Sequence, residues 1–177
     1  LQADLRPLAR LGVHGASVVT CVTAQNPDAV TAIHPTPAKV VAAQLDSVFG
    51  SLPIRAVKTG MLYSRAIIDA VAGRLAKRER LSLVVAPVLL SSSGTPLLKP
   101  SAAATLANRL FPLARRVTPN LDEAAALAKR RRRSASAPNC GSGSSYSRAA
   151  SSPLTRSPSH TFWQSASVVA SKSTRRM

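Results

Sequence analysis

Apolar residues recur at three-residue steps at the start of the chain, with Leu5, Leu8 and Leu11 in LQADLRPLARLG, followed by Gly12. That spacing predicts a helix with Gly12 as its stop. Pro7 falls within it. An interior proline costs about 3 kcal/mol, and less in a first turn, which predicts a helix that begins only just before Pro7. The pattern then changes. Ser17 to Ala24 is rich in β-branched residues and holds no breaker, as in a strand of a parallel sheet that is apolar on both faces. The strand ends in two amides, Gln25 and Asn26, and Asn26-Pro27-Asp28 reads as a turn. Val30 to Ile33 forms a short extended segment before His34 and Pro35. Thr36 as N-cap and Pro37 at the first helical position open a helix with Val41, Leu45, Val48, Phe49 and Leu52 on one face.

The alternation continues. Ala56 to Thr59 (AVKT) is a second strand, stopped by Gly60. Ser64 caps a helix with a stripe of Ile67, Ile68, Val71 and Leu75. Leu83 to Leu90 is a third strand, in which Pro87 predicts a bend because it removes a ladder donor. Ser91 to Pro96 (SSSGTP) reads as a flexible loop. Pro100 and Ser101 open a helix carrying Leu106 and Leu110. Val117 and Thr118 form a fourth short strand, and Asn120 starts a helix with Asp122 and Glu123 in its first turn. Strand and helix in turn, with short connections, predict parallel βαβ units in an open three-layer α/β sheet. No strand is expected after Thr118.

Charge divides the chain. The 177 residues carry a net +17. Lys129 to Met177 holds ten basic residues and no acid, while residues 1–128 hold the other fourteen bases and all seven acids. The segment from Lys129 has no apolar period and is dominated by Ser, Arg, Ala and Pro. Such a composition buries too little surface to offset its ordering entropy and predicts disorder. Its abrupt onset, its lack of acids and its GC-rich-codon residues predict a frameshift product, which the other reading frames downstream of codon 128 would test. The basic run Lys129 to Arg133 predicts nonspecific adhesion to nucleic acid through phosphate contacts, without a fold that reads bases.

Other chemistry is thinner. Cys21 and Cys140 have no metal or disulfide spacing, and Cys21 reads as a small core residue. No apolar run reaches the roughly 18 residues of a membrane span. No signal peptide is visible, and a cytoplasmic location is expected. A chain opening at Leu1 inside a helix is expected to be a fragment. His14, His34 and His160 stand in unrelated contexts, so no Ser/His/Asp set forms. No phosphate-binding glycine loop follows a strand. Two places remain. Gln25 and Asn26 lie at a strand's carboxyl end, where ligands bind in open α/β sheets; an amide offers a donor and an acceptor to a nitrogen heterocycle. As residues alone they read first as an ordinary turn after a strand. Asn120 and Glu123 share the first turn of a helix, where they fit either a hydrated Mg²⁺ site or a simple cap.

A family resemblance bears on both. LQADL (Leu1 to Leu5), LGVHGASVVTCVTAQN (Leu11 to Asn26), VAAQLDSVF (Val41 to Phe49), VKTGML (Val57 to Leu62), SGTPLL (Ser93 to Leu98) and TPNLDEAAAL (Thr118 to Leu127) occur in order. With these blocks, residues 1 to about 128 resemble the N-terminal half of bacterial hydroxymethylpyrimidine/phosphomethylpyrimidine kinases, of the ribokinase-like superfamily. The resemblance implies a truncated ribokinase-like sheet. It also implies an enzyme that uses ATP and Mg²⁺ to phosphorylate hydroxymethylpyrimidine and its monophosphate in thiamine biosynthesis, and it allows a homodimer. By position, Asp4 and Gln25 would contact the pyrimidine and Met61 and Val88 would line its pocket. Asn120 and Glu123 would serve Mg-ATP, with Glu123 at the metal. Departures from the family are Ala86, where an Asp is usual, the absence of the family's first strand and its Gly-rich segment before Leu1, and the absence of a GTGC-type catalytic segment, which neither Cys140 nor Gly141 replaces. No catalytic residue is therefore assigned, and the chain itself is expected to be inactive. Two other readings are a pyridoxal kinase-like enzyme and a basic nucleic-acid-binding protein acting through the tail.

Overall fold

A computed structural model describes residues 1–26, 28–91, 93–134 and 166–172, the last seven and 129–134 by their backbone. Helix α1 (Gln2–Arg10) leads into β1 (His14–Gln25), which turns back into β2 (Val30–Pro35). Then follow α2 (Ala38–Ser51), β3 (Ala56–Thr59), α3 (Arg65–Leu75), β4 (Ser82–Val85), α4 (Ala102–Arg109), a 3-10 turn (Phe111–Leu113), β5 (Arg116–Val117) and α5 (Leu121–Ser134). The last element is β6 (Ala166–Lys172), and the six strands form one sheet in the order β2-β1-β6-β3-β4-β5.

The sheet is mixed rather than all-parallel. Only β3–β4 and β4–β5 pair in parallel; β1 pairs antiparallel with both β2 and β6, and β6 antiparallel with β3. The local reason for β2 is its connection. Oδ1 of Asn26 accepts the backbone N–H groups of Asp28 and Ala29, at 3.0 and 2.7 Å. So tight a turn returns the chain beside β1 and can only make an antiparallel pair.

A strand does follow Thr118. Residues 166–172 fill the slot between β1 and β3, with backbone pairing on both sides. The basic segment read as wholly disordered thus contains the end of α5 and all of β6; its other residues, with Cys140, Gly141 and His160, lie outside the described ones. Further boundaries differ. Pro7 lies inside α1, five residues after its start. Pro37 rather than Thr36 is the N-cap of α2, and the Thr36 N–H donates to the Thr20 carbonyl across the hairpin. β4 stops at Val85, because Pro87 has no N–H to continue the ladder. The Ser91–Pro96 loop is a closed turn. Gly94 at φ 82° lets it double back, the Ser91 hydroxyl accepts the Thr95 N–H at 2.9 Å, and Leu90 bridges Pro96. Ser64 caps α3 as expected, accepting the Ile67 N–H.

The core lies on one face of the sheet. Val18 of β1, Val57 of β3 and Leu83 and Val85 of β4 are buried there with Val41 and Leu45 of α2, Ile67, Ile68 and Val71 of α3, and Leu106 of α4. Strand alternation sends Gly15, Lys58 and Val84 to the opposite face. There α1 lies so close to β1 that a Cβ on Gly15 would meet Leu5 at 2.8 Å. Among the described residues, no helix is long and apolar enough to cross a membrane.

Candidate functional site

The strands do not end together. Val18 of β1 and Thr59 of β3 both pair with Val168, so they stand level across β6. Since β3 ends at Thr59 and β6 begins at Ala166 opposite Cys21, the last stretch of β1, from Val22 to Gln25, pairs only with β2 and projects past the carboxyl end of β3. Gln25 closes that projection. It is only 9% exposed, and its Oε1 is buried with no hydrogen-bond partner. Its neighbour Asn26 is exposed and spends its side chain on the turn. The two amides therefore differ: Asn26 is structural, while Gln25 holds a buried acceptor that wants a donor. Thr59 Oγ1, at the end of β3, is likewise buried and unpartnered.

Met61 and Val88 follow β3 and β4. Met61 is 1% exposed, and its carbonyl accepts the Thr20 hydroxyl at 2.7 Å, which locks the end of β3 to β1. Val88 is half-buried and packs against the core. Between them, Tyr63 takes φ 55°, a left-handed conformation that a bulky residue adopts at a cost. It is held by pairing with Leu98, and its carbonyl accepts the Lys99 N–H at 2.8 Å.

Asp4 lies elsewhere, on α1. It borders a cavity of about 250 Å³ on the α1 face of the sheet, lined mainly by Pro7, Leu8, Ala56, Val57 and Val84. Lys58 of β3 shares this cavity and donates a hydrogen bond to Asp4 Oδ1 as an ion pair. Lys58 is level with Ser17 through Val169, eight residues short of Gln25 along β1. The fold thus joins Asp4 of α1 to Lys58 of β3, with Gln25 apart from them at the far end of β1.

Asn120 and Glu123 form a reciprocal cap. Asn120 Oδ1 accepts the Glu123 N–H at 2.8 Å, and Glu123 Oε2 accepts the Asn120 N–H at 2.9 Å. This satisfies two donors at the start of α5. Glu123 Oε1 also accepts the Leu89 N–H at 3.4 Å, tying α5 to the loop after β4. Glu123, Asp122 and Lys99 border a second cavity of about 250 Å³, which shares no lining residue with the first. Gln25, Met61 and Val88 line neither. Among the described residues, no three His, Cys, Asp or Glu side chains gather as a metal cluster. Magnesium in nucleotide sites is held by one or two carboxylates together with phosphate oxygens and water. Each Glu123 oxygen accepts one N–H and keeps acceptor capacity, so the donor set at this cavity fits that ion.

Two polar residues of the structure were not singled out from the sequence. Lys58 interrupts a β-branched strand, and its position opposite Val57 and Thr59 in the pleat was the available signal. Gln44 sits on the apolar stripe of α2, between Val41 and Val48. Its Oε1 accepts the Val19 N–H at 2.9 Å and its Nε2 donates to the Val19 carbonyl at 3.1 Å.

The mixed α/β sheet is that of known small-molecule kinases. The structure matches phosphomethylpyrimidine kinase from Clostridium difficile with a TM-score of 0.66 and 42% identity, over 72% of this chain and 55% of that one. It also matches an ADP complex of Bacillus subtilis pyridoxal kinase, with a TM-score of 0.63 and 30% identity over 73% of this chain and 47% of that one. In sequence, the hydroxymethylpyrimidine/phosphomethylpyrimidine kinase of Rhizobium meliloti is 48% identical over 130 residues, 73% of this chain and 48% of the relative. That of Escherichia coli is 47% identical over 127 residues, 72% of this chain and 48% of the relative. The family model for phosphomethylpyrimidine kinase matches residues 1–156. The chain belongs to the phosphomethylpyrimidine kinase family. It spans about half the length of the curated relatives it matches.

Proposed function

We propose that this chain is the substrate-recognising half of a kinase that phosphorylates 4-amino-5-hydroxymethyl-2-methylpyrimidine and its monophosphate in the cytoplasm, for thiamine biosynthesis. The observation that carries this reading is the Asp4 cavity. It is small, mostly apolar and edged by one ion pair, which suits a flat heterocycle bearing an amine. An ionised carboxylate accepts hydrogen bonds only, so Asp4 takes the ring's amino group as donor. The buried, unpartnered Gln25 Oε1, which lies outside that cavity, supports a second contact to the same class of ligand; Met61 and Val88 are given to the ligand's apolar side by the family resemblance alone. Asn120 and Glu123 serve Mg-ATP, Glu123 as the carboxylate toward the ion. Bound there, Mg²⁺ would neutralise charge on the phosphate oxygens.

The 177 residues by themselves transfer no phosphate in this reading. Ala86 carries no carboxylate, and no GTGC-type segment is present to provide preorganised donors for the transferring group. The pyridoxal kinase-like alternative rests on structural neighbours of that activity, at 29–30% identity against 42% for the pyrimidine kinase. Calorimetric titration of the purified chain with the pyrimidine tests the proposal. Wild type binds, and Asp4→Asn binds about tenfold more weakly, as expected for a hydrogen bond to a charged acceptor. Equal affinity in the two proteins removes Asp4 from the site.

A further inference from the structure

We propose that Lys58 is a positioning residue for pyrimidine recognition: it holds one carboxylate oxygen of Asp4 so that the other is presented to the amino group of the ligand. This rests on the reading of Asp4 given above. Both residues line the same cavity, and the rest of that lining is apolar apart from backbone. A carboxylate in such a place needs a fixed partner, because its desolvation is otherwise uncompensated. The Lys58 ammonium donates to Oδ1. Oδ2 makes a long ion pair, at 3.9 Å, with the Leu1 amino group; that is beyond hydrogen-bond length, so Oδ2 keeps acceptor capacity for a ligand N–H.

The geometry is set from two elements. Asp4 projects from the first half of α1, which the Leu5 and Leu8 contacts over Gly15 seat on β1. Lys58 projects from β3, which is hydrogen-bonded on both edges, to β4 and β6. The pair therefore spans from helix to sheet across the cavity mouth. A lysine at this place contributes charge and direction to Asp4 without touching the reacting hydroxymethyl group. Without Lys58 the carboxylate turns to solvent, since Asp4 is partly exposed.

The rival is an ion pair that only ties α1 to the sheet, and a double-mutant cycle separates the two. Wild type, Asp4→Asn, Lys58→Met and the double variant are titrated with the pyrimidine at constant salt, each after its thermal unfolding curve shows it folded. Lys58→Met should weaken binding about tenfold in the wild-type background, and have no further effect in Asp4→Asn, because its influence passes through Asp4. Lys58→Arg should recover most of the affinity, since it restores the charge. Lys58→Gln, read alongside, should weaken binding as Lys58→Met does and carries the cycle if that variant does not fold. Unchanged affinity in the lysine variants, or a loss that persists undiminished beside Asp4→Asn, overturns the proposal while leaving Asp4 as a ligand contact. A wild-type chain that binds no pyrimidine overturns both together.

Discussion

Cys21 is fully buried in the core, and burial pushes its thiol up from 9.0 to about 11, against a smaller opposing effect of the Thr36 backbone. A thiolate is the reactive form, so this cysteine is inert near neutrality. Because the folded state keeps the proton longer than the unfolded state, its stabilising contribution is whole below about pH 9. It is lost as pH rises toward 11, at up to about 1.4 kcal/mol per pH unit. Urea unfolding of wild type and Cys21→Ala at pH 8 and pH 10.5 should therefore show the wild-type advantage shrinking at the higher pH. A constant difference contradicts the burial argument. At this scale the sequence was read in part. Cys21 was legible as core from its place in an apolar strand, and Gln25 from its place at that strand's end. The inequality of Gln25 and Asn26 was not legible, because it depends on which amide the turn consumes. Asn120 and Glu123 were readable as a cap from spacing alone; the bond from Glu123 to Leu89 joins residues far apart in sequence and has no local signature.

At the scale of elements, β1 is held by side chains as well as by strands. β2 ends at Pro35, and Gln44 of α2 takes over where it leaves off, donating to and accepting from the Val19 backbone. Gln44→Leu fits the apolar stripe but leaves a half-buried N–H and C=O without partners, at a cost of about 2 kcal/mol or more. Gln44→Glu keeps the acceptor and loses the donor, and should fall between. Denaturant midpoints that rank wild type, Glu, Leu in descending order agree; a Leu variant as stable as wild type does not. The helices were legible because each has a repeating apolar stripe and α3 has a serine cap. β6 was not. ASVVASK has little apolar alternation, and what makes it a strand is backbone pairing with β1 and β3, two segments more than a hundred residues earlier. Together with the local β1–β2 hairpin, this non-local pairing turned an expected parallel sheet into a mixed one.

At the scale of the whole molecule, β1, β3, β4 and β5 run in one direction with β6 threaded between the first two. This gives one well-covered face, under α2, α3 and α4, and one face on which α1 and the Asp4–Lys58 pair border a cavity. The curated relatives are about twice as long as the matched region, and the proposed function separates recognition from turnover for this chain. Equilibrium dialysis in the presence of Mg-ATP, with hydroxymethylpyrimidine in one set of cells and pyridoxal in the other, reads both. Chromatography of each compartment gives bound ligand and phosphorylated product in one experiment. The pyrimidine should concentrate on the protein side in preference to pyridoxal, and be recovered unphosphorylated. No enrichment over pyridoxal, or phosphorylated pyrimidine formed near the roughly 1–100 s⁻¹ of working kinases, would contradict a chain that recognises the pyrimidine without transferring phosphate.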